Sequence, residues 1–284
     1  MPPALPAPRL ARVTAPVRAF TERLAPQRDA LRELHVVPDV EGPKIRLGLA
    51  WAVVTFAAVA GGTVTAAVWF TAAALVAAGN VCRIWRQQEE RPVAPIAVFG
   101  AAGLPIAAAF GWLAVLAVLV VVGAAAVAWE PLSGALHRPS RARTSLKLTL
   151  GIAIGVGLAA AAPVLVREVG MTEAVVFVTL IAVYDASNYL VGSGAASPWE
   201  GPAAGAAFIL AVTLAVAAVF VPPFRGLTPW LFGFLTALLA PLGPYAASAL
   251  LPEPAARAPG LRRLDVWIVA GPIWAVAAVL LLGG

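Results

Sequence analysis

The chain has 284 residues, of which 61% are hydrophobic and 12% charged, and its formal net charge is +6. So few charges cannot cover a water-soluble domain, and the composition describes an all-α polytopic membrane protein. Its single cysteine, Cys82, excludes an internal disulfide and a thiolate metal cage, and reads as a packing thiol.

Residues 1–44 alternate prolines with arginines and lack the apolar core of a secretory signal, so they are expected to form a basic cytoplasmic segment. Within it Gln27 to Val37 could form a short amphipathic helix, or the whole tail could lie disordered on anionic lipid. The membrane domain is expected over 45–284. Ile45 to Val81 reads as a largely apolar stretch carrying threonines, and the Gly61-Gly62 pair splits it into a tight helical hairpin. A second hairpin, Pro92–Ala109 and Trp112–Trp129, turns near Phe110-Gly111. Helix five is expected over Leu148–Val166, the turn REVGMTE follows, and helix six covers Ala174–Tyr189. Helices seven, eight and nine are expected over Pro202–Val221, Pro229–Leu250 and Val266–Leu282. Prolines 95, 105, 241 and 244 fall inside these spans and should kink them.

Nine spans with the N-terminus inside put alternate loops on opposite faces. Of the 20 lysines and arginines, all but Arg167 and Arg225 then fall on one side. That bias is what cytoplasmic loops show, so the chain is expected in a bacterial plasma membrane with the N-terminus and the site facing the cytoplasm. His35 and His137 lie far apart in the sequence without a second ligand at metal spacing, and read as surface residues.

Polar chemistry collects in one stretch, VYDASNYLVGSGAASPWEGPAAG (183–205), set between two apolar runs. A carboxylate at membrane depth costs roughly 2.5 to 3.5 kcal/mol unless it faces protein, water or a ligand. Asp185 therefore either caps a helix end at headgroup level or serves a site. The remaining polar residues near the same face are Asn188, Tyr189, Ser197, Glu200, Tyr245, Ser248, Arg262, Arg263 and Asp265. Carboxylates beside arginines suit a divalent cation and phosphate groups, since Mg²⁺ takes one or two carboxylates plus substrate oxygens and arginine grips phosphate with two parallel bonds. There is no histidine or cysteine base, no Gly-x-Ser-x-Gly elbow and no phosphate-loop lysine, which leaves metal-assisted phosphoryl or nucleotidyl chemistry as the enzyme class. Plain anchoring of the last helix to anionic headgroups is the alternative for Arg262 and Arg263.

Asp185-Ala-Ser-Asn-Tyr-Leu-Val-Gly192, then Ser197-Pro-Trp-Glu-Gly201 and Gly205, resembles the phosphatidate cytidylyltransferase (CDP-diacylglycerol synthase) family. Members carry Asp-x-x-Ala-Tyr-x-x-Gly followed by Ser-Pro-Lys-Lys-Thr-Trp-Glu-Gly. Pro259-Gly-Leu-Arg-Arg-Leu-Asp265, with Pro272 beyond it, resembles a shortened form of the family's closing Pro-Gly-His-Gly-Gly-x-Leu-Asp-Arg, and Leu242-Gly243 with Ser248 falls where the family has Gly-Asp-Leu-x-Glu-Ser. The Lys-Lys-Thr is absent here, Pro244 replaces the aspartate of Gly-Asp, and Leu261-Arg262-Arg263 replaces His-Gly-Gly.

The resemblance implies transfer of a cytidylyl group from CTP to phosphatidic acid, giving CDP-diacylglycerol and pyrophosphate in phospholipid biosynthesis, with the site in 183–284. It implies Asp185 and Asp265 as catalytic residues holding Mg²⁺, and Glu200 as an acid near the nucleotide. Arg262 and Arg263 would stand in for the lysines, with Asn188, Tyr189, Ser197, Trp199 and Ser248 contacting substrate. Membrane lipids are the expected surroundings, a homodimer is plausible for the family, and no nucleic-acid partner is expected. Two other readings stay open: a non-catalytic paralogue that binds anionic lipid or acts as a membrane scaffold, and a transporter.

Overall fold

A computed structural model describes residues 44–132, 139–197 and 199–283. The basic segment 1–43, with the expected helix Gln27–Val37 and His35, lies outside them, as does His137. Among the described residues every regular element is helical. The apolar composition dictates this, because a backbone in hydrocarbon must satisfy its own hydrogen bonds.

The first hairpin pairs α1 (Lys44–Ala60) with α2 (Thr63–Trp85). The second pairs α3 (Ala94–Ala108) with α4 (Trp112–Leu132). Each turns at a glycine in the left-handed region, Gly62 at φ 113° and Gly111 at φ 91°, where a side chain would be strained. Next come α5 (Pro139–Val169), α6 (Met171–Gly192) and α7 (Glu200–Val219). The chain then forms α8 (Thr228–Leu239), a 3-10 turn (Ala240–Leu242), α9 (Gly243–Ala249), the single turn α10 (Pro259–Arg262) and α11 (Asp265–Leu282).

Among the described residues seven spans are long and apolar enough to cross a membrane, with α8 to α9 counted as one of them; α1 and α3 are apolar but shorter. Several boundaries differ from expectation, two of them most clearly. Helix α5 begins at Pro139 rather than Leu148, so the end of the basic loop is already helical. The expected turn REVGMTE contracts to Gly170, with helix on both sides. Pro95 stands in the first turn of α3, where its missing N–H costs nothing, whereas Pro105, Pro163 and Pro272 are interior. Pro241 and Pro244 each stand in the first turn of a new element, so the expected eighth helix passes through a 3-10 turn at its prolines and continues as one span.

Helix α5 is central and packs against α2, α3, α4, α6 and α11. Its run Ala159 to Ala162 is fully buried, and Gly157 lies so close to Ala101 of α3 that an added Cβ would stand 3.0 Å from the Ala101 Cα. Small residues allow this approach where apolar lipid gives no drive to associate. A column of buried rings runs beside it: Phe224, Phe232, Trp274, Phe177, Trp267 and Phe70, with centroids 5.8, 4.3, 4.5, 5.2 and 5.7 Å apart in turn. The column locks α11 against α6 and α2, and Trp267 brings it to within two residues of Asp265.

Candidate functional site

Several helix ends meet at one end of the bundle. Gly260 N–H donates to Asn80 Oδ1 at 3.3 Å, and the Trp85 indole donates to the Leu250 carbonyl at 2.8 Å, so the end of α2 holds both sides of the connector between α9 and α11. Gly243 packs directly on the Asp265 carbonyl and 2.7 Å, by its absent Cβ, from the Val266 Cα, which seats the start of α9 on the start of α11. At the opposite end Arg167 Nε donates to the Val59 carbonyl at 2.9 Å, tying α5 to α1.

Asp185 lies on α6 about two turns before the helix ends, so it does not cap that helix. Its side chain is exposed. Asp265 opens α11 half-buried, with Oδ1 accepting the Val266 N–H at 2.7 Å. The two carboxylates lie within electrostatic range of each other, and the Arg263 guanidinium acts on both. Like charges brought together repel, and the Arg263 guanidinium offsets part of that repulsion.

The neighbouring arginines divide the work. Arg262 donates to Ser248 Oγ from Nη1 at 3.2 Å and Nη2 at 3.1 Å, and Nη2 also reaches the Pro254 carbonyl at 2.7 Å. Nη1 adds a longer bond to the Pro244 carbonyl at 3.4 Å. Burial lowers the Arg262 guanidinium from its ordinary value while the Asp265 carboxylate opposes that shift, and the group stays charged at physiological pH. Arg263 turns the other way, its Nη1 3.3 Å from where a Cβ on Gly48 of α1 would stand.

The remaining expected residues take other places. Ser248 is buried under Arg262, so its hydroxyl is engaged by protein. Asn188 is half-buried, with Oδ1 2.6 Å from the Cβ position of Gly201, inside the α6–α7 contact. Tyr189 is half-buried one residue on. Trp199 and Glu200 are exposed where α7 begins, and Ser197 Oγ accepts the Trp199 N–H at 3.5 Å. The structure thus joins Asp185, Asp265, Arg262, Arg263 and Ser248 into one cluster, with the 197–200 link beside the end of α6.

Tyr184 is a site neighbour that sequence reasoning passed over. It is buried, lies within electrostatic range of Asp185, Asp265 and Tyr245, and presses its ring on Gly205, whose Cβ would stand 2.6 Å from Cδ2. Its place immediately before Asp185 was the available signal. Asn80 was another, a lone amide in an apolar span.

Among the described residues no group of three or more histidine, cysteine or acidic side chains could hold a metal ion. An all-protein cage is therefore not what these residues offer. Two carboxylates with an arginine do fit Mg²⁺, which is commonly held by one or two carboxylates and completed by phosphate oxygens and water. No protein-family model matches this sequence, and no curated protein matches it.

Proposed function

We propose that this chain is a membrane nucleotidyltransferase of the phosphatidate cytidylyltransferase kind, acting on a lipid phosphate with CTP as donor. The observation that carries the reading is the convergence of Asp185 from α6 and Asp265 from α11, far apart in sequence, within electrostatic range of each other and of Arg263. The resemblance noted above identifies these same carboxylates.

In the transfer an oxygen of the lipid phosphate forms a bond to the α-phosphorus of CTP, and the bond from that phosphorus to the pyrophosphate oxygen breaks. Mg²⁺ bound by Asp185 and Asp265 would supply the charge neutralisation that crowded phosphates require. Arg263 can pair with a phosphate oxygen, its guanidinium lying beside both carboxylates. Arg262 and Ser248 position the segment from which Arg263 and Asp265 project. The buried Tyr184 fixes the rotation of α6 by packing on Gly205, and so aims Asp185.

The face of the membrane follows from charge. The segments carrying Lys44, Arg46, Arg83, Arg86, Arg91, Arg143, Lys147, Arg257, Arg262 and Arg263 all lead to the Asp185 end, whereas Arg167 sits at the other. The positive-inside bias favours a site on the cytoplasmic side.

The commitment of Arg262 to Ser248 also supports a second reading, a non-catalytic lipid-binding paralogue, because of the two arginines expected to replace the family's lysines one is engaged by protein. Detergent-purified protein incubated with radiolabelled CTP, phosphatidic acid and Mg²⁺ separates the two. Label in CDP-diacylglycerol that vanishes in Asp185→Asn supports the enzyme. A folded protein that transfers none, and gains no thermal protection from CTP, supports the paralogue.

A further inference from the structure

The N-terminal half of the bundle carries a second polar feature, away from the two carboxylates. Helix α3 has only 15 residues, about 22 Å, against about 30 Å of hydrocarbon. Its start is fixed to α5: Val93 N–H donates to Thr149 Oγ1 at 2.8 Å, and Ser145 Oγ donates to the Arg91 carbonyl at 2.6 Å. Helix α5 runs on past that level to Pro139, about 15 Å further.

The mismatch leaves a notch of about 410 Å³ above the start of α3. Its floor is Arg91 to Pro95, and its walls include Trp129 of α4 and Ala142 and Leu146 of α5. The hydroxyls of Ser145 and Thr149 are spent on backbone, so the notch offers little neutral hydrogen bonding. Arg91 is the charged residue that lines it, and it stands against apolar wall; Arg143 and Lys147 lie outside the lining. Arg91 is exposed at the floor, and Arg143 and Lys147 are exposed on the same turns of α5 as the lining residues.

We propose that this notch binds the headgroup of an anionic glycerophospholipid, at a site separate from the Asp185–Asp265 pair. The chemistry matches on three counts. Basic side chains at the membrane surface attract anionic headgroups. Trp129, 45% exposed at the end of α4, suits headgroup depth. Helices α3 and α4 also expose Phe99 and Val127, apolar surface of the kind an acyl chain covers. The proposal does not depend on the enzymatic reading, since it uses none of the same residues.

The test is native mass spectrometry of the full chain released from detergent micelles doped with phosphatidylglycerol, phosphatidylcholine or neither. Wild type retains one phosphatidylglycerol adduct in excess over phosphatidylcholine. Arg91→Gln lowers that occupancy about fivefold, the effect of one surface charge. Ala142→Trp, which fills the notch, removes it without changing the charge, and Arg263→Gln leaves it intact. Equal retention of both lipids overturns the proposal, as does full retention in both notch variants. Displacement of the adduct by millimolar inorganic phosphate would show a site for free phosphate, and overturns the lipid assignment.

Discussion

Arg262 spans from the α10 turn to α9 and places both terminal nitrogens on the hydroxyl oxygen of Ser248, at 3.2 and 3.1 Å. The same guanidinium holds the Pro254 carbonyl at 2.7 Å, so one side chain fastens both ends of the connector that delivers Asp265. Charged hydrogen bonds of this kind contribute about 1.5–3 kcal/mol each, and a buried partner left alone costs a similar amount.

Ser248→Ala should therefore destabilise the protein by about 1–3 kcal/mol, because the guanidinium keeps its charge and loses an acceptor. Arg262→Lys should cost at least as much, since an ammonium cannot reproduce the forked contact. Thermal unfolding in detergent checks both, and an unchanged melting temperature in the two variants would remove the staple from the account.

The α6–α7 contact makes a sharper packing prediction. A methyl group on Gly201 would stand 2.6 Å from Asn188 Oδ1, 2.9 Å from the Asn188 carbonyl and 3.0 Å from the Gly192 Cα. Two of those neighbours are backbone and cannot step aside. Gly201→Ala should lower stability by about 1–3 kcal/mol, the usual cost of overpacking. Gly79→Ala and Gly123→Ala, where nothing lies within 4 Å, should be neutral or slightly stabilising, because alanine is the better helix former. Parallel melting curves of the three variants decide it.

What was readable in the sequence follows physical rules of different reach. The hairpin turns were legible because Gly61-Gly62 and Gly111 interrupt apolar runs, and Gly62 and Gly111 take a backbone conformation that favours glycine. Charge sorting, which needs only a parity of spans, assigned Asp185 and Asp265 to one face but could not bring them side by side. The start of α5 at Pro139 was not legible, because its first turns are polar and a hydropathy argument stops at the apolar boundary. The contraction of REVGMTE to Gly170 was missed for a related reason, since Glu168 and Glu173 read as loop charges. Nor could sequence separate Arg262 from Arg263: they are identical neighbours, and only the turn of α10 sends one to Ser248 and the other toward Gly48.

That division predicts a split in phenotype. Arg263→Gln removes the guanidinium beside the two carboxylates without touching the staple, so the melting temperature should hold while kcat for cytidylyl transfer falls by about 10²-fold, the scale of losing one transition-state donor. Arg262→Gln should do the reverse in emphasis, lowering stability first. Steady-state kinetics beside thermal melts test the pair, and a variant set in which both arginines move activity alone would contradict the assignment.

Membrane orientation gives the last prediction, and the chain is well suited to it. The native thiol, Cys82, is buried, so an impermeant maleimide should meet little background in the wild type. Ala196 follows α6 at the end where the carboxylates meet, whereas Leu227 precedes α8 at the other end; both are exposed. Because the described lysines and arginines other than Arg167 and Arg225 gather at the first end, Ala196→Cys should stay unlabelled in intact cells and react once the membrane is opened, while Leu227→Cys should react from outside. The opposite pattern would invert the membrane and place Asp185 and Asp265 where cytoplasmic CTP cannot reach them, which would sink the cytidylyl-transfer reading as well as the orientation.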